Sequence, residues 1–319
     1  MFSLEKFFIN HDLFIAIALN FGLLIFASVL IFVWNKFKPG EDLKELRDRT
    51  TSWWVMAVFF IAATILNPVI SYVAIALLSF AALRDLTSVS KNVRTSDRIG
   101  LLGCFLAVPI QFYLAYIHWY EAFIVFIPVV MFLLVPFLLV LQGDLKDISR
   151  SMAVLPTQLM FCVFGLSHLA YLLSLPEIPG FRTGGQALLL FLVLIVEIND
   201  VFQFTIGKLI GKRKIIPKVN PNKTWEGVMG GIIAATCVGY LLRFLTPFTQ
   251  TQALFISFII AVTGFAGDVV VAAIKQDAGV KDAMDSIPAK AGILDRIDSL
   301  APAAPVFFHL VYFIAYTTK

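Results

Sequence analysis

Apolar residues in this chain come in long unbroken runs separated by short polar segments. The runs lie near 13–34, 53–66, 69–83, 99–120, 122–142, 153–175, 187–204, 228–247, 252–274 and 300–316. A straight helix needs roughly 20 apolar residues to cross a bilayer core. Inside lipid, a helix satisfies its own backbone hydrogen bonds. The pattern therefore predicts an all-α, polytopic transmembrane bundle of eight to ten spans, with ten preferred. The runs at 53–66 and 69–83 are short and joined by Asn67-Pro68. They form either a tilted or re-entrant hairpin or two helices that extend into their flanks. The first run is too long for the apolar core of a signal peptide and lacks a small-residue cleavage site, so it is expected to remain as a span.

The polar segments set an orientation. If 35–52, 84–98, 143–152, 205–227 and 275–299 share one side, that side holds every one of the 25 Lys and Arg residues except Lys6, Arg182, Arg243 and Lys319. Ten alternating spans produce this arrangement with both termini outside, and the positive-inside bias makes the basic side cytoplasmic. The expected location is a bacterial inner membrane. Composition agrees: 59% of residues are hydrophobic and 14% charged, against about a quarter charged in soluble domains. No soluble domain interrupts the chain. A division into residues 1–185, a membrane-spanning region, and 186–319, a region carrying the chemistry, fits the distribution of unusual loops. The three cysteines lie inside apolar stretches and the four histidines are scattered, so neither type predicts a metal or thiol site.

Two of the basic-side loops have opposite character. Residues 205–223, "TIGKLIGKRKIIPKVNPNK", hold Lys208, Lys212, Arg213, Lys214, Lys218 and Lys223 with no acid. The Lys212-Arg213-Lys214 cluster fits either the topological bias or anionic lipid headgroups. Further on, Lys223-Thr224 supplies a charge and a hydroxyl, while Gly227 and Gly230-Gly231 permit close backbone approach at a helix start. That combination suits a polyphosphate, although "GKLIGKRK" lacks the spacing of a Walker A loop.

The second loop, 275–299, reads "KQDAGVKDAMDSIPAKAGILDRIDS" and is rich in aspartates. Just upstream, Asp268 stands among apolar residues, where a carboxylate costs a few kcal/mol at mid-span and is functional by default. On a helix it shares a face with Ala272 and Lys275, and Asp295 and Asp298 project together. Asp200 is a second intramembrane acid, expected to open the basic loop, and Glu197 lies one turn before it. Hard carboxylate oxygens without cysteine or histidine favour Mg²⁺ over zinc. Cations for a phosphate tail and acids for a metal are together what a metal-bound nucleoside triphosphate requires.

At these residues the chain resembles the phosphatidate cytidylyltransferase family, the CDP-diacylglycerol synthases. That family's final motif reads S-x-x-K-R-x4-K-D-x-G-x3-P-G-H-G-G-x-x-D-R-x-D. Residues 272–298 match it without gaps at Lys275, Lys281, Asp282, Pro288, Gly292, Asp295, Arg296 and Asp298. "NPNKTWEGVMGG" and "GFAGD" are similar to the upstream patterns S-P-x-K-T-x-E-G-x-x-G-G and G-x-x-G-D. The resemblance covers roughly residues 195–300. Departures are Ala272, Gln276, Met284, Asn220, Lys290-Ala291 in place of His-Gly, and Gln203-Phe204 in place of Ala-Tyr.

The resemblance implies transfer of a cytidylyl group from CTP to phosphatidate, or in a divergent branch to another lipid phosphate. It implies Mg²⁺ on Asp268, Asp295 and Asp298, with Asp282 and Asp200 as further candidate ligands. Catalytic roles would fall to Asp282, Asp295, Asp298 and Lys281. Substrate contacts would fall to Lys223, Thr224, Lys275, Arg296, Asp200 and Lys290, with Gly227, Gly230 and Gly231 allowing close approach. A second, monovalent cation and a homodimer stay open, and no nucleic-acid partner is expected. Two other readings use the same acids: a polytopic carrier with Asp200 and Asp268 on an ion path, and a non-catalytic family member.

Overall fold

The computed structural model describes residues 11–37, 44–65, 68–90, 97–181, 183–277 and 293–317. Every predicted apolar run falls on a helix. Helix α1 covers His11–Phe37, α2 Lys44–Ile65, α3 Pro68–Val89 and α4 Arg98–Tyr116. Helix α5 covers Tyr120–Leu141 and α6 Ile148–Leu173, followed by α7 at Gly184–Ile210. A hairpin of β1, Lys214–Ile216, and β2, Asn220–Thr224, precedes α8, Trp225–Leu241. Helix α9 is Gln250–Asp277, α10 the short Leu294–Ile297, and α11 Leu300–Tyr312. Seven helices among the described residues are long and apolar enough to cross a membrane. The chain is a polytopic helical bundle and an integral membrane protein.

The short central runs resolve as two full helices. Helices α2 and α3 each span 22 residues, because the polar stretches 44–52 and 84–89 continue the helical backbone beyond the apolar core. Pro68 occupies the first position of α3, where its missing N–H costs nothing. Helices α5 and α6 each contain a π turn, Phe126–Met131 and Met160–Gly165. The first includes Pro128 and the second follows Pro156, and proline removes the donor that a regular ladder needs there.

The helical fold class holds, with a small hairpin added in the basic loop, where β1 and β2 pair antiparallel, Lys214 opposite Thr224 and Ile216 opposite Asn220. Two departures from the sequence reading lie beside it. Asp200 does not open a loop: α7 continues past it to Ile210. Gly230-Gly231 lies within α8, which already begins at Trp225.

The buried apolar interior runs without a break from Met56 to Val311. Tight seams hold the bundle together where glycine lets backbones meet. A Cβ at Gly165 would strike the Ala301 carbonyl, and one at Gly185 the Leu172 carbonyl. With apolar lipid outside, association rests on such close packing and on interhelical hydrogen bonds.

Those hydrogen bonds sort the loops by end of the bundle. The Ser151 hydroxyl donates to Asp97 at 2.7 Å and Arg150 pairs with Asp277 at 3.2 Å, which joins 84–98, 143–152 and 275–299 at one end. At the opposite end the hydroxyls of Tyr72 and Ser174 are hydrogen-bonded, and the Tyr316 hydroxyl donates to the Pro176 carbonyl at 2.6 Å. Three of the five basic segments thus contribute residues to one end of the bundle.

Candidate active site

The β-hairpin delivers the first functional group. Thr224 ends β2 and caps α8, its Oγ1 accepting from the Gly227 N–H at 3.2 Å. A threonine cap satisfies one of the orphan donors at a helix start. Glu226, which the sequence reading passed over, accepts from the backbone N–H groups of Lys212 and Arg213 at 3.1–3.3 Å. It thereby ties the basic loop to the first turn of α8. The Trp225 N–H completes the tie by donating to the Arg213 carbonyl at 2.9 Å. Lys223 is fixed by this frame and turned inward, half-buried.

Among the described residues the Lys223 ammonium meets groups from two helices. It forms an ion pair with Asp268, donates to Oε1 of Gln203 at 3.0 Å, and lies 5.9 Å from the ring centre of Phe265. Asp268 and Phe265 come from α9, one turn apart on the same face, and Gln203 from α7. The basic hairpin and the intramembrane acid therefore meet directly.

The second cluster adjoins the first. Asp200 on α7 accepts from the Ser299 hydroxyl at 3.2 Å, and the Ser299 N–H donates to the Asp298 carboxylate at 2.8 Å. The approach depends on glycine: a Cβ at Gly267 would collide with the backbone carbonyl of Asp298 and with Pro302. At Gly264 the fit is looser, since an added Cβ would stand 3.4 Å from the Ser299 carbonyl, an ordinary contact. Removal from water, and then the negative charges of Asp268 and Asp200, push the Asp298 carboxyl well above its ordinary range, with Lys275 acting in the opposite direction. Acids from three separate stretches are close enough to repel one another.

Of the glycines singled out, Gly227 and Gly231 lie in the seam between α8 and α7. A Cβ at Gly227 would sit 2.5 Å from the Gln203 carbonyl, and one at Gly231 would meet Cγ of Gln203 and stand 2.7 Å from the Asn199 carbonyl. Gly230 faces the side chain of Ile206. Two further polar groups, Asn20 and Asn199, went unread in the sequence, and Gln203 was noted only as a departure from the family pattern. The Asn199 amide donates to the Ala261 carbonyl at 3.1 Å. Asn20 of α1 reaches Glu197, and Gln203 holds Lys223.

Lys281, Asp282 and Lys290 lie outside the described residues, as do Pro288 and Gly292. Asp295 and Arg296 lie on the backbone of α10, with their side chains outside the described set. Among the described residues no three His, Cys, Asp or Glu side chains form a ready metal-ligating group. Asp268 is engaged with Lys223 and Asp200 with Ser299. The donor set is nonetheless all oxygen, and its mutual repulsion is what a divalent cation relieves.

Comparison with known proteins agrees with the residue pattern. The sequence profile of the cytidylyltransferase family matches residues 47–314. The chain is 36% identical over 306 residues to the Escherichia coli protein YnbB, described as uncharacterised, covering 94% of this chain and 99% of that one. It is 35% identical over 136 residues to a phosphatidate cytidylyltransferase of Haemophilus influenzae, covering 41% of this chain and 47% of that one. To that of Bacillus subtilis it is 32% identical over 137 residues, covering 42% and 51%. The chain thus spans about half the length of these two enzymes.

Proposed function

This chain belongs to the cytidylyltransferase family, and we propose that it transfers the cytidylyl group of CTP to phosphatidate, giving CDP-diacylglycerol and pyrophosphate. The observation that carries this reading is the meeting of Lys223 with Asp268 beside Asp200 and Asp298. A phosphate oxygen of the lipid attacks the α-phosphorus of CTP. A new P–O bond forms to the lipid phosphate, the bond from the α-phosphorus to the bridging oxygen breaks, and pyrophosphate departs. The attacking oxygen is already anionic, so the chain need not provide a strong base.

What the chain provides is position and charge neutralisation. Lys223 and Lys275, with Lys281, Lys290 and Arg296 of the same motif, would hold phosphate oxygens. Thr224 acts by capping α8 and so aiming Lys223. Asp268, Asp295 and Asp298 would hold Mg²⁺, with Asp200 and Asp282 as further oxygen ligands; when bound, the ion neutralises charge on the triphosphate. The Lys223–Asp268 pair is then a resting arrangement in which each group serves as the other's substitute partner. The acyl chains would stay in the bilayer while the headgroup reaches the site from the inner leaflet, with the site facing the cytoplasm.

An acceptor other than phosphatidate is the second reading. It is favoured by the contrast between a match over nearly the whole length of YnbB and matches over half the length of phosphatidate cytidylyltransferases. Purified protein given CTP, Mg²⁺ and a panel of lipid phosphates should release pyrophosphate with at least one. Silence across the panel would overturn the enzyme reading. Loss of turnover in Asp295→Asn, with the fold retained, checks the assignment of metal ligands.

A further inference from the structure

Gln203 is nearly sealed from solvent, 4% exposed, midway between the acids of α7 and the end of that helix. Its amide is oriented by its neighbour. A lysine ammonium only donates, so the oxygen 3.0 Å from Lys223 Nζ is the acceptor end. The Nε2 end is then a donor, and among the described residues it has no partner. Buried donors are almost always paired, and this one stands next to an ammonium and beside a cluster of acids. The seam is fitted to this side chain, because a Cβ at Gly231 would strike Cγ of Gln203. An apolar or smaller side chain would fill the seam without leaving a donor unpaired. The group that suits a neutral N–H beside a cation is an anionic oxygen, which accepts from both.

We propose that Gln203 is a substrate-contacting residue whose Nε2 donates to a phosphate oxygen also held by Lys223. The two side chains form a clamp on one phosphate, preassembled by the bond between them. This inference rests on the cytidylyl-transfer reading. Two phosphates could fill the clamp, one of the nucleotide and that of the lipid acceptor, and both present the same oxygen chemistry.

The test uses the full-length protein and two substitutions. Gln203→Met keeps the volume but removes both donor and acceptor. Gln203→Glu keeps an acceptor for Lys223, removes the donor and adds a negative charge, so Gln203→Met is the variant that reads the donor without added charge. KM is measured for CTP at saturating lipid phosphate, and for lipid phosphate at saturating CTP, with thermal unfolding confirming the fold. Both variants should raise one of the two KM values about tenfold or more, the scale of a lost charge-assisted hydrogen bond. A rise for CTP puts the clamped phosphate on the nucleotide, and a rise for the lipid puts it on the acceptor. Wild-type KM values in Gln203→Glu would overturn the inference, since holding Lys223 would then be the whole role. So would unchanged KM values in both variants, whatever happens to kcat. A wild-type protein silent on every lipid phosphate sinks the transfer reading and this inference together, whereas active wild type with unaffected variants sinks the inference alone.

Discussion

Lys223 and Asp268 are joined as an ion pair, although one lies on the second strand of a hairpin and the other inside a membrane helix. The pair brings the cationic and acidic halves of the site within a single contact. In the proposed reaction its members would take separate tasks, one toward phosphate and one toward metal.

Lys223→Ala should therefore lower kcat/KM by about a hundredfold or more, the usual scale for removing one preorganised charge donor. Asp268→Asn should do similar damage. Because each residue is the other's resting partner, the double variant should lose less than the product of the two single losses. Pyrophosphate release by the three purified variants measures this. Fully multiplicative losses would mean that the pair is not a functional unit.

Asp298 carries a prediction with two opposite signs. Its carboxyl is held above the usual range by desolvation and by the charges of Asp268 and Asp200. A raised pKa means that the folded state disfavours the ionised form, so at neutral pH the charge opposes folding. Asp298→Asn should abolish turnover while leaving the unfolding temperature in EDTA equal to or above that of wild type. A marked fall in that temperature would show that the carboxylate is a structural partner rather than a crowded acid.

Much of the site could be read from spacing. The apolar runs gave the helices, the isolated Asp268 marked a costly position, and the Lys-Thr pair before a glycine-rich segment marked the hairpin end that meets it. The interhelical partners could not be read. Asn20 and Gln203 stand as single polar residues among apolar neighbours, Asn199 sits between Glu197 and Asp200, and nothing local indicates which backbone or side chain each meets. The extent of α7 was hidden for a related reason. Its last two turns, with Lys208 and without an apolar run, look like a loop, yet the helix continues. The Glu226 carboxylate then closes the loop that follows by accepting from two backbone donors.

Gly267 and Gly231 should prove intolerant for different reasons. Alanine at Gly267 would drive Cβ into the Asp298 carbonyl, and alanine at Gly231 into the seam of α7 and α8. Overpacking of this kind costs roughly 1–3 kcal/mol. Gly267→Ala should also displace an acid of the site and depress kcat more than stability alone explains. Gly22→Ala is the control, because nothing lies within 4 Å of the Cβ it would add. It should match wild type in activity and unfolding temperature. Equal behaviour of the three variants would mean that these close approaches are absent in the membrane.

The direction of the bundle in the membrane follows from charge and from which loops the helices bring together. Lys218 lies in the basic hairpin whose neighbours gather at the Asp97, Ser151 and Asp277 end, and Glu177 lies by Pro176 at the Tyr72 and Tyr316 end. Excess lysine and arginine stays on the cytoplasmic side during insertion, so the Lys218 end should face inward. In a background without the three native cysteines, Lys218→Cys and Glu177→Cys should then differ in intact cells. A membrane-impermeant maleimide should label Cys at position 177 from outside, and position 218 only after the membrane is opened. Both positions are exposed, so burial would not account for protection at 218. Labelling of position 218 from outside would place the site on the wrong face for cytoplasmic CTP and would overturn the proposed orientation together with the nucleotide supply it assumes.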